Sequence, residues 1–424
     1  MSKASISFLG AAQEVGRSSF LLDAGPKILL DSGVKFGSEN KIEEPLPVKT
    51  NLDSVIISHA HLDHTGFLPK LFTQGNVLTY LTKPTLDLSN ILWEDSLKIA
   101  RHNREHAGFE PNDLHLINRF SFEVAYKRKL PIGDNVSFEF FDAGHILGSA
   151  MTKLNIEGKH LLYTGDFNPE DTRLHWGTDL NVGKVDSVII ESTYGNRNHP
   201  PRKELEAVFA ECVQDIVDRR GWALCPAFAV GRGQEIIEIL HSQGVEADVY
   251  YDGMGQKAAR VMLSHPSFLR DAKALKQALS KAIWVQSPKQ RKDALKKPCV
   301  IVSSAGMMQG GPILNYVKKL RLDAKSKLFF TGYQAERTVG RILHENHRLL
   351  IENELLDVAF EVEKYDFSAH AGKDEMLRAL KKWSPQKVFL VHGDLDVMKF
   401  FAGEIKALGF SPHIPERGKT YKVF

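Results

Sequence analysis

The chain has 424 residues, of which 43% are hydrophobic and 25% are charged, and its 55 basic and 52 acidic residues give a net charge of +3. This length predicts two or three domains, and the composition is that of globular proteins, which excludes a disordered, collagenous or fibrous chain. A net charge this close to zero does not by itself indicate a class of partner.

The sequence also indicates where the protein works. It contains no run of about 18 apolar residues that would cross a membrane, and its first residues lack the basic and apolar regions of a signal peptide. The three cysteines, Cys212, Cys225 and Cys299, have neither the spacing of a disulfide framework nor that of a cysteine zinc site. These features predict a cytoplasmic protein without a membrane partner.

Short runs rich in Ile, Val and Leu predict buried strands, because each run is bounded by turn residues. In chain order these runs are 28–30, 55–57, 160–163, 188–190, 300–302 and 388–391. Helical patterns lie between some of them, and residues 203–220 place Leu205, Val208, Cys212 and Ile216 on one predicted apolar face. Strands that alternate with helices predict α/β layers.

Five of the predicted strands are followed by an acidic residue or a histidine. These residues are Asp31, His59, Asp166, Glu191 and His392. Ligands of α/β sheets bind at the carboxyl ends of the strands. The repetition therefore predicts that a single site is built from distant parts of the chain.

The densest signal is the segment His59–His64, which reads His-Ala-His-Leu-Asp-His directly after a predicted strand. Imidazole nitrogens and carboxylate oxygens are preferred ligands of zinc, and such groups are costly to bury without a partner. His145 and Asp166 further along the chain would complete two metal shells. A carboxylate such as Asp166 can bridge two cations that hold a hydroxide between them at neutral pH.

Two interruptions divide the chain. One follows the segment 191–197, where His199-Pro200-Pro201 breaks the pattern, and the other lies near Tyr365. The piece between them has its own predicted strands and helices, yet His392 must rejoin acids and histidines that precede residue 192. This predicts an inserted domain rather than two domains in tandem.

The piece between the interruptions contains a basic stretch, residues 270–297, with nine basic and two acidic residues. A basic segment on an otherwise mildly acidic chain suits a polyanion such as nucleic acid, and the alternative is a solvated helical face. Two glycine- or serine-rich turns are further candidates for phosphate contacts, because they expose backbone N–H groups. The candidate RNA contacts are Arg232, Gly233, Ser303, Ser304 and Arg337.

These motifs resemble those of the metallo-β-lactamase superfamily, and the later ones resemble those of its β-CASP nucleases. Glu191 in Glu-Ser-Thr-Tyr-Gly is similar to motif A, His370 in Phe-Ser-Ala-His-Ala to motif B, and His392 in Leu-Val-His-Gly to motif C. Residues 228–235, 304–311 and 331–334 also match, so the resemblance covers nearly the whole chain. It is greatest to short prokaryotic relatives of the cleavage and polyadenylation specificity factor endonuclease.

The resemblance implies an α/β fold, namely a four-layer αββα metallo-β-lactamase domain with an inserted α/β β-CASP domain. Residues 1–194 would form the first part of the metallo-β-lactamase domain and residues 366–424 its C-terminal part. Residues 195–365 would form the β-CASP domain, in agreement with the insertion inferred from His392.

The resemblance also implies two Zn²⁺ ions per chain and a role for each motif residue. His59, His61 and His145 would hold one zinc, Asp63, His64 and His392 would hold the other, and Asp166 would bridge them. Asp31 would orient ligands from behind. Asp63, Glu191 and His370 would serve catalysis, with His370 as the proton donor to the leaving oxygen.

The implied function is hydrolysis of phosphodiester bonds in single-stranded RNA, by an endonuclease that could also act as a 5′→3′ exonuclease, in RNA processing or decay. A histidine in motif C is typical of the RNA-processing members, whereas the DNA-repair members typically have valine. The alternatives are a DNA nuclease, a non-cleaving RNA-binding subunit and a small-molecule hydrolase of the superfamily. A homodimer or an RNA-processing complex is compatible with this resemblance.

Overall fold

A computed structural model describes residues 4–37, 42–335, 337–351 and 354–424. The chain divides into two compact units, each of which is described by itself. The first comprises Met1–Asp171, Trp176–Asn198 and Ala369–Phe424, and the second comprises Thr172–His175 and His199–Ser368. In the described residues, no helix is both long and apolar enough to cross a membrane.

The strands follow one another along the whole chain. They are β1 Ser5–Phe8, β2 Phe20–Asp23, β3 Lys27–Leu30, β4 Lys35–Phe36, β5 Ile42–Glu43, β6 Ser54–Ile56, β7 Leu78–Leu81, β8 Ser121–Glu123, β9 Leu130–Pro131, β10 Val136–Asp142, β11 Ala150–Ile156, β12 Lys159–Tyr163, β13 Ser187–Glu191, β14 Ala223–Pro226, β15 Val249–Asp252, β16 Ile283–Trp284, β17 Val300–Ser303, β18 Lys327–Phe330, β19 Arg348–Ile351, β20 Glu354–Asp357, β21 Glu361–Lys364, β22 Lys387–Val391, β23 Pro412–His413 and β24 Thr420–Lys422.

The helices lie between these strands. They are α1 Leu62–Thr65, α2 Leu68–Phe72, α3 Lys83–Asn103, α4 Pro111–Phe120, α5 Arg202–Asp218, α6 Arg232–Ser242, α7 Gly255–Ser264, α8 Ala272–Lys281, α9 Pro288–Asp293, α10 Ile313–Leu320, α11 Val339–Asn346, α12 Lys373–Trp383 and α13 Leu395–Ala407. Local capping explains several of the ends. Thr82 accepts a hydrogen bond from the Thr85 N–H at the start of α3, and Arg104 ends that helix in the left-handed conformation.

The first unit contains two seven-stranded sheets, in the orders β24-β1-β2-β3-β6-β7-β8 and β23-β22-β13-β12-β11-β10-β9. Phe8 and Phe20 of the first sheet share one buried cluster with Phe138, Tyr163 and Phe389 of the second, so the sheets pack face to face. Helices cover both outer faces through separate apolar clusters, one with Trp93 of α3 and one with Leu380 of α12. This is the predicted four-layer αββα arrangement.

The second unit has a six-stranded parallel sheet in the order β16-β15-β17-β14-β18-β21, with its own core around Leu224, Ile301 and Phe330. The α/β character predicted for this part of the chain is therefore confirmed. The predicted face of α5 is partly confirmed, since Ile216 is buried and Leu205 and Cys212 are half-buried. The placement of Val208 on this face is wrong, because it is 55% exposed while Phe209 and Val213 are buried. Glu206 lies on the buried face, where it pairs with Arg202 and Arg173.

Candidate metal centre and proton donor

All nine motif residues with a predicted metal or catalytic role lie in the first unit, and four of them, together with Asp31, lie at or just beyond the carboxyl ends of parallel strands. β3 and β6 run parallel in one sheet, and β12, β13 and β22 run parallel in the other. The residues in or just after these strand ends are Asp31, His59, Asp166, Glu191 and His392. Parallel pairing therefore brings together residues that are far apart in sequence.

The segment His59–His64 forms backbone hydrogen bonds with two other segments of the first unit. The Ser32 N–H donates to the His64 carbonyl at 2.8 Å, and the Ser18 N–H donates to the Asp63 carbonyl at 2.8 Å. A side chain at Gly33 would overlap the Asp63 backbone, since an added Cβ would lie 1.8 Å from its carbonyl oxygen. Glycine at position 33 therefore permits the close approach that fixes this segment.

One group of possible metal ligands consists of His59, His61, His145 and Asp166, whose ligand atoms all lie within 4.8 Å of one another. The Nε2 atoms of His59 and His145 each lie 3.2 Å from Nδ1 of His61. The Asp166 carboxylate approaches the same nitrogens, with Oδ2 at 3.6 Å from His59 and 3.8 Å from His145. Three imidazole nitrogens and one carboxylate thus converge on a single point.

A second group consists of Asp63, His64, Asp166 and His392. Nε2 of His64 lies 3.3 Å from Asp166 Oδ2, and Nε2 of His392 lies 3.1 Å from Asp63 Oδ2. The other nitrogen of His392, Nδ1, lies 3.4 Å from Asp166 Oδ1. The two groups share Asp166, which is the arrangement expected of a carboxylate that bridges two metal ions.

Protonation in the first group suits a cation. Burial lowers the pKa of His59 and His145 well below the ordinary value and lowers the pKa of His61 to about 4, so these imidazoles are neutral. Burial opposes ionisation of Asp166, but His392 and His64 outweigh it and hold the Asp166 pKa well below its usual range. Neutral imidazoles beside an ionised carboxylate are the forms that bind a metal.

An orphaned atom supports the same conclusion. Asp166 is 2% exposed, and among the described residues its Oδ1 atom has no hydrogen-bond partner, with Nδ1 of His392 3.4 Å away. A buried carboxylate oxygen without a partner is costly unless it coordinates a metal. The residues present therefore fit a metal-binding site.

Asp31 lies behind the second group and is fully buried. Its Oδ2 atom lies 2.7 Å from Nδ1 of His64 and accepts hydrogen bonds from the hydroxyls of Ser58 at 2.7 Å and Tyr163 at 2.5 Å. A carboxylate on one ring nitrogen fixes the orientation of the other nitrogen toward a metal. The predicted site residues did not include Ser58 or Tyr163. Ser58 lies two residues after β6, and Tyr163 is the last residue of β12.

His392 has a left-handed backbone conformation and is held by contacts with Ala11 and Thr193. Its backbone φ is 51°, its N–H donates to the Ala11 carbonyl at 2.9 Å, and its Nδ1 lies 3.2 Å from the Thr193 hydroxyl. Ala11 itself has a φ of 49°. Backbone of this kind in residues other than glycine clusters at functional sites, where the surrounding structure must hold it in place. Thr193 was not predicted as a site residue.

His370 and Glu191 form a pair beside the metal-binding groups. Nδ1 of His370 lies 2.9 Å from Glu191 Oε2 and 3.1 Å from Oε1, and Glu191 also accepts the Phe167 N–H at 2.9 Å. The ring centroids of His370 and His145 are 4.6 Å apart. Burial opposes the charged form of His370, but Glu191 and Asp166 outweigh it and raise the pKa of His370 to about 9. The pair can therefore hold a proton at neutral pH.

A third grouping of possible ligands is Asp166, Glu191 and His370. Geometry alone thus allows His370 either a proton-donating or a metal-binding role. The contact of Glu191 with Nδ1 of His370 is compatible with both roles, since metal-binding histidines commonly have a carboxylate on the other ring nitrogen.

The predicted RNA contacts all lie in the second unit, and of these five residues the structure exposes Arg337. Arg232 is 8% exposed and pairs with Glu235 at 2.5 Å, and the Ser304 hydroxyl accepts the Met254 N–H at 3.1 Å. Ser303 is fully buried, and Gly233 lies against the Tyr251 ring. Contact of these buried residues with RNA remains a prediction.

The basic stretch 270–297 has a mixed character. Lys289 and Lys292 are exposed, as a phosphate contact requires. Arg291 instead holds the buried carboxylate of Asp252 through two bonds, with Nε at 2.6 Å from Oδ2 and Nη2 at 3.1 Å from Oδ1. Arg291 therefore has a structural partner that the charge pattern alone did not indicate.

Replacing Arg291 with alanine should lower the free energy of unfolding by about 1–3 kcal/mol, because it leaves the Asp252 carboxylate with less compensation in a buried position. Denaturant unfolding measures this change, and Lys289→Ala on the same helix serves as the control, with an expected change within about 0.5 kcal/mol. Equal stability of both variants would show that the Arg291 pair contributes nothing.

Models of known families match most of the chain. Residues 234–343 match a Beta-Casp domain, residues 355–415 match a Zn-dependent metallo-hydrolase RNA specificity domain, and residues 7–198 match the Anti-Pycsar protein Apyc1. Among solved structures, a protein of unknown function from Enterococcus faecalis has a TM-score of 0.61 over 99% of both chains. At 14% identity, that likeness shows the fold alone.

Curated relatives are similar over nearly the whole chain. The "Probable RNase MJ4" of Methanocaldococcus jannaschii is 38% identical, with 99% of this chain and 100% of the relative covered. The "RNase aCSPSF2" of Saccharolobus solfataricus is 34% identical, with coverage of 99% and 85%. The "Transcription termination factor FttA" of Pyrococcus horikoshii is 31% identical, with coverage of 99% and 71%. These relatives and family models show that the chain belongs to the β-CASP ribonucleases of the metallo-β-lactamase superfamily, and the geometry of its histidines and carboxylates agrees with this.

Proposed function

We propose that this ribonuclease holds two zinc ions and cuts single-stranded RNA internally. The observation that carries the proposal is the pair of ligand groups that share Asp166, with the His370–Glu191 pair next to them. His59, His61 and His145 would hold one ion, Asp63, His64 and His392 the other. Two zinc ions in this position supply Lewis acidity and an activated water at neutral pH.

The chain's own residues would supply the remaining chemistry. His370 would donate its proton to the leaving 3′-oxygen, because its imidazole is positioned beside the ligand groups and the Glu191 carboxylate at 2.9 Å raises its pKa against the opposing effect of burial. Glu191 would orient the ring through its contact with Nδ1. Asp31 would keep His64 aimed at the site through the other nitrogen of that ring.

The proposal extends to the division of the chain. Residues 195–365 would be the β-CASP insertion in a metallo-β-lactamase domain formed by residues 1–194 and 366–424. The compact second unit, most of which spans His199–Ser368, supports this division, as does the Beta-Casp match within it. A homodimer or a larger RNA-processing complex is part of the same proposal, and the mass of the protein in solution tests the homodimer.

A circular RNA and a 5′-labelled linear RNA of one sequence test the function. Cutting of the circle is expected, since internal cleavage needs no end, whereas release of mononucleotides from the labelled end would show a 5′→3′ exonuclease. A DNA strand of the same sequence should be cut far more slowly. Binding of RNA without cutting, by protein loaded with zinc, would favour a non-cleaving subunit, and equal cutting of DNA would favour a general nuclease.

Glu191→Gln should move the alkaline limb of the pH–rate profile to lower pH. The donor must be protonated, so cleavage falls as the pH rises through the pKa of His370. Removing the Glu191 charge lowers that pKa and brings the fall to lower pH. Glutamine retains the shape and an acceptor for the Phe167 N–H. Profiles of kcat between pH 6 and 10 would decide, and an unmoved alkaline limb would remove His370 from the proton-donor role.

A further inference from the structure

An exposed arginine with no assigned role, Arg197, lies close to the proposed proton donor. It directly follows the turn at residues 193–196 that comes after β13. The Arg197 guanidinium lies over the Tyr194 ring, with its carbon 4.4 Å from the ring centroid, and the Tyr194 ring meets His370 edge to face at 5.9 Å. On the other side, His370 contacts the metal-binding His145 at 4.6 Å. A continuous row of contacts therefore runs from the candidate metal centre to an exposed cation.

The turn is fixed to the element that carries His370. The Lys373 N–H donates to the Arg197 carbonyl at 2.9 Å, and Asn198 exchanges two hydrogen bonds with Asp374 at 2.8 and 2.9 Å. Lys373 and Asp374 begin α12, three residues after His370. Arg197 and the proton donor are thus held by one scaffold, which reduces the entropy lost when a ligand contacts both.

The charged groups at the start of α12 are paired with one another or with Asn198. Asn198 donates a hydrogen bond to the Asp374 carboxylate, and Lys373 lies 3.2 Å from Glu404 and 3.9 Å from Asp374. Arginine is the side chain best shaped for phosphate, because its planar guanidinium can donate two parallel hydrogen bonds.

We infer that Arg197 binds a backbone phosphate next to the scissile one, on the side of the site where His370 meets the leaving oxygen. The inference rests on the proposed function, since it assigns the same site a contact for the flanking RNA. Tyr194 acts as the positioning residue that holds the guanidinium in place. The bound group is a phosphodiester of the RNA chain rather than a base, so the contact carries no sequence preference.

Arg197→Ala should raise the KM for a short single-stranded RNA roughly tenfold. It should also flatten the dependence of log KM on log salt by about 0.7, the slope expected for one phosphate contact on a single strand. Arg197→Lys keeps the charge but loses the forked donors, so it should keep the salt slope with an intermediate KM. Arg119→Ala, at an exposed position in the last turn of α4, is the matched control and should leave KM unchanged.

The length of the RNA gives a second readout, which a merely structural role would not move. The penalty of Arg197→Ala should be larger on a tetranucleotide than on a dinucleotide, because only the longer RNA has phosphates that flank the scissile bond. Bound zinc should equal that of the unmodified protein. If the unmodified protein cuts RNA while Arg197→Ala keeps its KM and its salt slope, the inference is overturned and the proposed function stands. If the unmodified protein does not cut RNA, the proposed function itself fails.

Discussion

His370→Ala should lose RNA cleavage by about 10²–10⁴-fold, the usual contribution of a positioned general acid, while it keeps two bound zinc ions. The imidazole is held by Glu191 through Nδ1 and lies against His145, and it belongs neither to the group of His59, His61 and His145 nor to that of Asp63, His64 and His392. Its loss should therefore remove a proton donor and leave those two groups complete. Single-turnover cleavage and metal analysis of the same preparation measure both effects.

Two further variants make this result specific. His392→Ala removes a member of the second ligand group and should lose zinc as well as activity. His115→Ala, at an exposed position on α4, should change neither. A His370→Ala protein depleted of zinc would assign His370 to metal binding, in line with its place near Asp166 and Glu191. Cleavage at the unmodified rate would assign it no chemical role.

The alternation of strands and helices, together with the residues that end the strands, predicted α/β layers and a site at the strand ends, whereas the four-layer αββα arrangement was implied by the family resemblance. Parallel pairing explains this success, because the edge reached by β3 and β6, or by β12, β13 and β22, follows from topology. A strand-end residue such as Asp166 needs no knowledge of its neighbours to be placed at that edge.

Contacts between distant polar side chains could not be predicted in the same way. Hydrophobic periodicity placed Val208 in the core of the second unit, whereas Glu206 is buried there because two arginines pair with it. Arg291 was grouped with the other basic residues of its stretch, but Asp252 holds it. A charge that is buried with a partner looks the same in a sequence as one that faces solvent.

The residues that support the site escaped prediction for a related reason. Tyr163 and Thr193 act through single hydroxyl contacts, to Asp31 and His392 respectively. Neither contact leaves a spacing pattern, since each joins elements that are adjacent only after the sheets have formed. The same holds for Arg197, whose position over Tyr194 depends on the turn that fastens it to α12.

Asp166→Ala should lose both zinc ions and essentially all cleavage, because one carboxylate serves both ligand groups. Oδ2 of Asp166 lies 3.3 Å from His64 and 3.6 Å from His59, which belong to different groups, and Oδ1 lies 3.4 Å from His392. Replacing Asp166 removes a carboxylate ligand from both groups, whereas replacing a histidine removes an imidazole ligand from one group. Loss of zinc from both groups is therefore expected when Asp166 is replaced, but not when any single histidine is replaced.

The measurement should separate metal loss from misfolding. Zinc added to the metal-free unmodified protein should raise its melting temperature, since a ligand that binds the folded state stabilises it by mass action. Neither Asp166→Ala nor the nearly isosteric Asp166→Asn should show this rise, although both should melt cooperatively without metal. Asp134→Ala, at an exposed turn before β10, should respond to zinc like the unmodified protein. One zinc retained by Asp166→Ala, together with a zinc-dependent rise in its melting temperature, would mean that the two groups bind independently and that Asp166 does not bridge them.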